Sequence, residues 1–177
     1  MLIARLIFWT IAVGLLAGAV HIITVISLPN FTAQSATAQA QRKMDVNVIS
    51  SFTPGPDKKL PFQMENPDME ITVCRYDARK APVRFSGPLP GAYWSLAIYD
   101  IKGRNRFALN HAHRVFDKID LIIDTRDRDI EAPEKTLIIQ NASSAGIIVL
   151  RAFRPERVYA QVVHDRLKQF SCSAMSR

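Results

Sequence analysis

The chain has 177 residues, which is room for one domain with short appendages, because domains usually contain about 100–150 residues. It is 48% hydrophobic, as globular proteins are, and its formal net charge is +7. The basic residues form no cluster and no nucleic-acid-binding motif occurs, so we expect no nucleic acid partner. The positive charge predicts a mixed, solvated surface, with attraction to anionic lipid headgroups or to an acidic envelope polymer as the alternative.

An apolar run without any charged residue occupies residues 6–28, LIFWTIAVGLLAGAVHIITVISL. Its 23 residues, at a helical rise of about 1.5 Å each, give a helix of about 34 Å, enough to cross a hydrocarbon core of about 30 Å. Pro29 and Asn30 follow the run and are expected to end the helix. The run therefore predicts one transmembrane helix over residues 6–28, through which the chain is held in a membrane.

The charges around this helix predict its orientation. Arg5 lies just before the apolar run, and the next basic residues are Arg42 and Lys43. Because basic residues favour the cytoplasmic side, we expect residues 1–5 in the cytoplasm and the domain in the periplasm, as in a single-pass protein of the bacterial inner membrane. A cleaved signal peptide is the alternative, but its apolar core is about 7–15 residues long, and the small-residue sites within residues 36–40 lie far beyond the run. Either arrangement exports the domain.

Residues 29–68 are predicted to form an extended spacer. Residues 30–45 are small and polar without apolar periodicity, and residues 50–68 contain four prolines. Such a composition suits an irregular segment that lifts the following domain off the bilayer. We place the β-rich domain at residues 69–177.

Short apolar segments separated by turn residues fill this domain. Residues 102–105 (KGRN) are typical of a β-hairpin turn. The spacing of the segments favours a mainly β, antiparallel sandwich-like fold over alternating β-α-β units. The predicted strands are residues 69–76, 83–86, 92–100, 106–110, 119–123, 137–140 and 147–153.

One amphipathic helix is predicted to close the chain. Pro155 suits its first turn. Apolar residues recur on one face: Val158, Tyr159, Val162, Val163, Leu167 and Phe170. Polar residues fall on the other: Arg157, Gln161, Asp165 and Lys168. The pattern predicts a helix that packs on the sheet, with docking on a partner or on the membrane surface as the alternative.

Several motifs in the centre of the chain resemble a bacterial family. They are residues 65–68 (ENPD) ahead of a strand, residues 74–77 (CRYD), residues 82–84 (PVR) and residues 91–100 (GAYWSLAIYD). Together they resemble the membrane-anchored bacterial family catalogued as domain of unknown function 1254. The resemblance implies a β-rich protein of the bacterial envelope. It implies no reaction, substrate or catalytic residue.

His111 and His113 are the first candidates for a metal site or an active site. Residues two apart on a strand face the same side, so both imidazoles could bind one metal, with Asp117 or Asp120 as a third ligand. The second, His-bearing half of a cupin-type metal motif is missing, and Arg114 would repel a cation. We therefore expect solvated histidines, no metal and no cofactor. No nucleophile motif such as Gly-x-Ser-x-Gly occurs, so the sequence identifies no catalytic residue.

The chain contains two cysteines, Cys74 in a predicted strand and Cys172 after the predicted helix. An even number of cysteines in an exported protein indicates a disulfide. We expect Cys74 and Cys172 to be bonded, with two free thiols as the alternative.

These features favour a single-pass membrane protein whose extracytoplasmic β domain is a non-enzymatic binding or accessory module of the bacterial envelope. Another envelope protein is a candidate partner. An envelope enzyme whose site lies around His111 and His113 is the alternative. A structural subunit that docks on other membrane proteins through its helix is a third hypothesis.

Overall fold

In a computed structural model, the chain is described over residues 2–52, 66, 68–91, 93–112, 117–126, 130–140, 142–154 and 157–175, without the side chains of residues 29–43, 157 and 158. Pro155, His113 and residues 53–65 of the predicted spacer therefore lie outside the described residues. In chain order the elements are α1 (Leu2–Lys43), β1 (Ile49–Phe52), β2 (Met69–Asp77), β3 (Val83–Pro88), β4 (Trp94–Asp100), β5 (Asn105–Asn110), β6 (Lys118–Ile123), β7 (Leu137–Ile139), β8 (Ala145–Phe153), α2 (Arg157–Leu167) and β9 (Ser171–Ala174). All seven predicted strands are confirmed to within two residues at each end, whereas β1 and β9 were not predicted.

The strands form two sheets. One has five strands in the order β1-β2-β8-β4-β5, and the other has four in the order β7-β6-β3-β9. The described pairs are antiparallel except for β6 and β7, which run parallel. A parallel pair needs a crossover of about a dozen residues or more, which residues 124–136 supply. The prediction of a mainly β, sandwich-like domain with an N-terminal and a C-terminal helix is confirmed. The parallel pair β6–β7 is the difference from the antiparallel fold that was predicted.

The two sheets face each other across an apolar core. Fully buried residues come from both of them: Ile98, Leu150, Phe85 and Leu121. Because side chains alternate along a strand, the odd-numbered residues of β2 lie on the outer face. There Ile71 and Val73 form a second cluster with Ile147 and with Met44, the residue after α1. Apolar side chains therefore cover both faces of β2 and β8. Strands buried on both faces are usually rich in apolar residues along their whole length.

The N-terminal helix is longer than predicted. Leu2–Lys43 forms one helix of 42 residues, so Pro29 and Asn30 do not end it, and residues 29–43 of the predicted extended spacer are helical. Ala and Gln supply most of residues 33–43, and both are good helix formers. Because Pro29 removes only one backbone donor, this local preference continues the helix beyond it.

Over Leu2–Leu28 the helix is apolar on every side. Each of its large apolar side chains is more than half exposed. Among the described helices, it is the one that is long and apolar enough to cross a membrane. The hydroxyl groups of Thr10 and Thr24 donate to the carbonyls of Leu6 and Val20, at 2.9 and 2.8 Å. These hydroxyl donors are therefore satisfied inside the helix, as a segment in lipid requires.

Residues 44–47 attach the end of α1 to the sandwich. Arg75 on β2 donates from Nη1 to the carbonyl of Met44 at 3.1 Å, and its own carbonyl accepts from the N–H of Asn47 at 2.7 Å. The side-chain oxygen of Asn47 accepts from the N–H of Asp77 at 2.9 Å. The chain thus enters the sandwich where β2 finishes. We call this end of the sandwich the anchor-side end and the opposite one the distal end.

The C-terminal helix α2 is present, but its buried face is narrower than predicted. Val163 and Leu167 lie in the core, whereas Tyr159 is 59% and Val162 47% exposed. Because the 11-residue helix contacts the sandwich along one line of residues spaced by four, neighbouring positions about 100° away stay at the surface. The helix does not close the chain: Phe170 lies beyond it, and β9 follows and pairs with β3.

Candidate functional site

Cys74 and Cys172, the predicted pair, are bonded to each other in the structure, and their Cα atoms lie 6.4 Å apart. Cys74 is on β2 in the five-stranded sheet, and Cys172 is on β9 in the four-stranded sheet. Both are buried in the core between the sheets. The bond therefore crosslinks the two sheets inside the core, where it stabilises the fold.

The structure separates His111 from the two candidate third ligands of a metal site, Asp117 and Asp120. His111 follows β5 in the five-stranded sheet, whereas Asp120 lies on β6 in the other sheet and accepts two hydrogen bonds from Arg84, at 2.9 and 2.7 Å. Asp117 is 86% exposed and is paired with Lys135 at 2.9 Å. Within the described ranges, no three His, Cys, Asp or Glu side chains come together as a group that could hold a metal. Both candidate third ligands are thus engaged elsewhere.

Asp120 is the centre of an ion pair that joins β6 to β3. Its side chain is fully buried. The hydrogen bonds from Arg84 outweigh the effect of burial and, together with those from Lys118, lower the pKa of Asp120 from 3.8 to about 2. Asp120 therefore stays ionised at neutral pH with its charge compensated.

A row of register partners crosses four strands at the distal end. Glu70 on β2 lies opposite Ala152 on β8, which lies opposite Trp94 on β4. The N–H of His111 donates to the carbonyl of Trp94 at 3.0 Å, which continues the register of β4 and β5 to His111. Because side chains alternate along strands, and Ala152 and Trp94 belong to the core, the four side chains share the inner face. We call Glu70, Ala152, Trp94 and His111 the distal row.

Glu70 carries a buried carboxylate into this row, and α2 supplies its partner. Oε1 of Glu70 and Nδ1 of His164 are 2.6 Å apart. The side chain of Glu70 is 1% exposed and that of His164 is 27% exposed. An interior carboxylate is therefore linked to an imidazole that reaches the surface. A carboxylate that orients a histidine is the arrangement of general-base pairs, and it also fixes α2 on the sheet.

Arg154 extends the polar group at the distal end. It lies two residues beyond Ala152 on the same face, and its N–H donates to the carbonyl of Asp68 at 2.7 Å. Its Nε and Nη1 atoms are buried, and so is Nδ1 of His111; none of the three has a hydrogen-bond partner in the described part of the chain. A buried polar atom left without a partner costs about 1–3 kcal/mol, so such atoms in native proteins are normally satisfied by ordered water, an ion or a ligand.

Aromatic residues lie beside these groups. Trp94 is 4% exposed and stands between the strands that bear Ala152 and His111. Tyr93 is 48% exposed, and its ring meets that of His111 edge to face, with centroids 5.1 Å apart. Apolar and aromatic surfaces combined with a few polar groups are typical of small-molecule sites.

The anchor-side end holds a different buried polar atom, the hydroxyl of Tyr76, which has no partner in the described residues. Burial raises the pKa of Tyr76 above its usual value. Tyr76 on β2 lies opposite Gly146 on β8. A Cβ added to Gly146 would lie 2.8 Å from the Tyr76 hydroxyl. A cavity of about 230 Å³ adjoins Tyr76, but both of its arginines are engaged, Arg75 with the carbonyl of Met44 and Arg79 with Asp77. The distal row, where several polar groups converge, is the stronger candidate.

Sequence patterns predict His111 as a candidate residue but do not predict Glu70, Arg154 or His164. The signal for Glu70 is an acid inside a strand whose neighbours are buried. Arg154 and His164 carry no comparable local signal, because strand register and the docking of α2 bring them to the row.

Searches against protein-family models and against curated proteins find no match. Two solved structures are similar in fold. The VPA0106 protein from Vibrio parahaemolyticus has a TM-score of 0.62 and 17% identity over 81% of this chain and 36% of its own. An uncharacterised protein from Burkholderia cenocepacia has a TM-score of 0.50 and 12% identity over 85% of this chain and 42% of its own. The chain spans less than half the length of either protein. The likeness is therefore one of fold.

Proposed function

We propose that the chain is a membrane-anchored, extracytoplasmic binding module of the bacterial envelope, and that its ligand site is the distal row with Arg154 and His164. The observation that carries the proposal is the pair of basic side chains, Arg154 and His111, which bury polar atoms without described partners in the same region as the Glu70 carboxylate. A ligand at this end would supply the missing hydrogen bonds, so binding would remove a cost that the free protein bears.

The position of the site supports an anchored module. The exposed apolar surface of Leu2–Leu28 suits a membrane, and the Cys74–Cys172 bond suits an oxidising compartment such as the periplasm. Arg75, which holds the end of α1, and Glu70 are five residues apart on β2, or about 17 Å. An anchor in the inner membrane would thus leave the distal row facing away from the entry of the chain.

Topology is tested with fusions to the C-terminus of the full chain. Alkaline phosphatase, which is active only outside the cytoplasm, should be active, and a fluorescent protein that matures only in the cytosol should be dark. The opposite pattern contradicts the proposed orientation. The intact mass of the protein recovered from membranes separates a retained anchor from a cleaved signal peptide, because cleavage removes residues 6–28.

The ligand site is tested through small molecules that copurify with the full chain in mild detergent. Mass spectrometry of the molecules released on denaturation should find a compound enriched in the parent protein and reduced in Arg154→Gln and His111→Asn. Arg151→Gln is the matched control, because Arg151 is on the same strand but on its outer face. Equal profiles in all four proteins would contradict a ligand site in the distal row.

An envelope enzyme is the second candidate function, and the 2.6 Å contact between Glu70 and His164 favours it. Glu70 would orient the imidazole, and His164 would act as a general base. The compound recovered from the protein is incubated with it and followed by mass. Conversion that Glu70→Gln and His164→Asn both abolish identifies an enzyme, whereas unchanged recovery identifies a binding module.

We also propose that the chain belongs to the family of domain of unknown function 1254, because of the motifs at residues 65–68, 74–77, 82–84 and 91–100. Another envelope protein is the proposed macromolecular partner. Nucleic acid is not proposed as a partner, because the basic residues form no cluster in the sequence.

A further inference from the structure

We propose that the distal row binds an anionic group of its ligand between Arg154 and His111. The group is a carboxylate or a phosphate, and this inference rests on the proposed function. The two residues lie on opposite sides of Trp94: Arg154 directly follows β8, and His111 directly follows β5. Nδ1 of His111 and Nε and Nη1 of Arg154 are buried and have no hydrogen-bond partner among the described residues.

The sheet geometry gives the span of the site. Neighbouring strands lie about 4.8 Å apart, and residues rise by about 3.3 Å along a strand. Arg154 and His111 are two strands and two residues apart, so their Cα atoms are about 12 Å apart. Both side chains project from the same face, and Ala152, the smallest member of the row, lies next to Trp94. A guanidinium and an imidazole at this separation can both reach a small group bound between them.

The chemistry of Arg154 determines the sign of the ligand charge. A guanidinium stays protonated and presents donors in a fork that matches the two oxygens of a carboxylate or a phosphate. Nε and Nη1, the two atoms without described partners, lie on different edges of the guanidinium, so each is a separate donor to a ligand oxygen. His111 adds a nitrogen that can donate in the matching tautomer.

The surrounding charges agree with an anion. Among the described residues of this end, Glu70 contacts His164, and the acidic side chain of Asp68 is exposed. Arg166 on α2 donates from Nη1 to the carbonyl of Leu89 at 2.9 Å and adds a further positive charge. With Arg154 and Arg166 both charged, a bound cation would be repelled.

Unpartnered donors also predict how the empty site affects stability. A residue kept for binding is often unfavourable for folding, so an apolar replacement of similar length stabilises the free protein while removing its function. Arg154→Met should therefore raise the melting temperature of the full chain in the absence of ligand. Arg151→Met, on the outer face of the same strand, should show no such gain.

The binding test measures the melting temperature of the full chain in detergent with sodium acetate or sodium phosphate, against sodium chloride at equal ionic strength and pH 7. At least one anion should raise the melting temperature saturably in the parent and in Arg151→Gln. The shift should be lost in Arg154→Gln and in His111→Asn. General salt effects of phosphate appear in all four proteins, so the difference between parent and variant is the measure of binding.

Each outcome has one meaning. A shift with acetate alone indicates a carboxylate ligand, and a shift with phosphate alone indicates a phosphate ligand. Equal shifts in the parent and in the two variants overturn the inference. His111→Asn decides the matter if Arg154→Gln fails to fold. A neutral compound that copurifies with the parent and is lost in Arg154→Gln would overturn the anionic class while leaving the proposed binding function intact.

Discussion

Buried polar groups in this protein are of two kinds. Asp100 and Asp120 are buried, and arginine side chains bond their oxygens. Burial alone would raise the pKa of Asp100, but hydrogen bonds from the backbone and side chain of Arg104 hold it below its usual value. Arg154 and His111, in contrast, bury atoms that no described residue bonds. Folding explains the first kind, and the proposed ligand site would explain the second.

Asp120 is expected to make stability depend on pH in the acid range. Its pKa is about 2 in the folded protein and 3.8 ordinarily, so its contribution is complete above about pH 5 and is lost as the pH falls through about 4 to 2. The difference corresponds to about 2 kcal/mol of unfolding free energy. Asp120→Asn should remove this part of the pH dependence, measured by urea unfolding between pH 2 and pH 6.

The exposed Asp117 provides the control for this measurement, because its side chain is 86% exposed and its pairing with Lys135 is screened by water. Asp117→Asn should keep the slope of the parent protein. If Asp120→Asn also keeps that slope, the ion pair with Arg84 does not control acid stability.

At the scale of secondary-structure elements, the packing of Phe170, which precedes β9, against β3 requires a glycine at position 87. A Cβ at Gly87 would lie 2.5 Å from Cγ of Phe170, whose ring packs against Phe85 with centroids 5.3 Å apart. Phe170 is 5% exposed, so its ring cannot turn into solvent without losing that packing. Gly87 therefore makes room for the residue that leads from α2 into β9.

Gly87→Ala should lower the free energy of unfolding by about 1–3 kcal/mol, because the buried ring must move. Urea or thermal unfolding measures the effect. Phe170→Leu is the companion variant: in its background, the added methyl group should cost less than in the parent. Additive losses in the double variant would show that the two residues do not compete for space.

For the whole molecule, the Cys74–Cys172 bond is expected to be the largest single constraint on the unfolded chain. The residues are 98 positions apart, and the chain-entropy account assigns about 4.7 kcal/mol to a loop of about this length, before strain and residual structure reduce it. Cys74→Ala and Cys172→Ala should each cost about 2–5 kcal/mol. The double variant should lose no more than either single one, because both remove the same bond.

Thiol titration of the denatured, unreduced protein checks the bond itself. Protein taken from the envelope should show no reactive thiol, and the monomer should migrate without an intermolecular link. Two reactive thiols in that sample would rule out the bond and remove the support that it gives to an exported location.

The amino-acid sequence by itself determined the features that depend on neighbouring residues. The charge-free run at residues 6–28 is an apolar helix, and the short apolar segments between turn residues are strands. The turn at residues 102–105 follows Asp100, whose carboxylate accepts from the N–H groups of Lys102 and Arg104 at 2.9 Å. Such signals are local, because helix period, strand length and turn chemistry involve residues a few positions apart.

Only the tertiary structure decided which distant residues meet. β9 is four residues long and short of apolar side chains, so it forms a strand because β3 offers a free edge to it. Glu70 and Ala152 face each other through backbone hydrogen bonds that any side chain would permit, and His164 reaches Glu70 because α2 docks through Val163 and Leu167. No local sequence signal therefore predicts the distal row as a group, although His111 is a candidate in the sequence: the row arises from register and packing between residues that the chain order keeps apart.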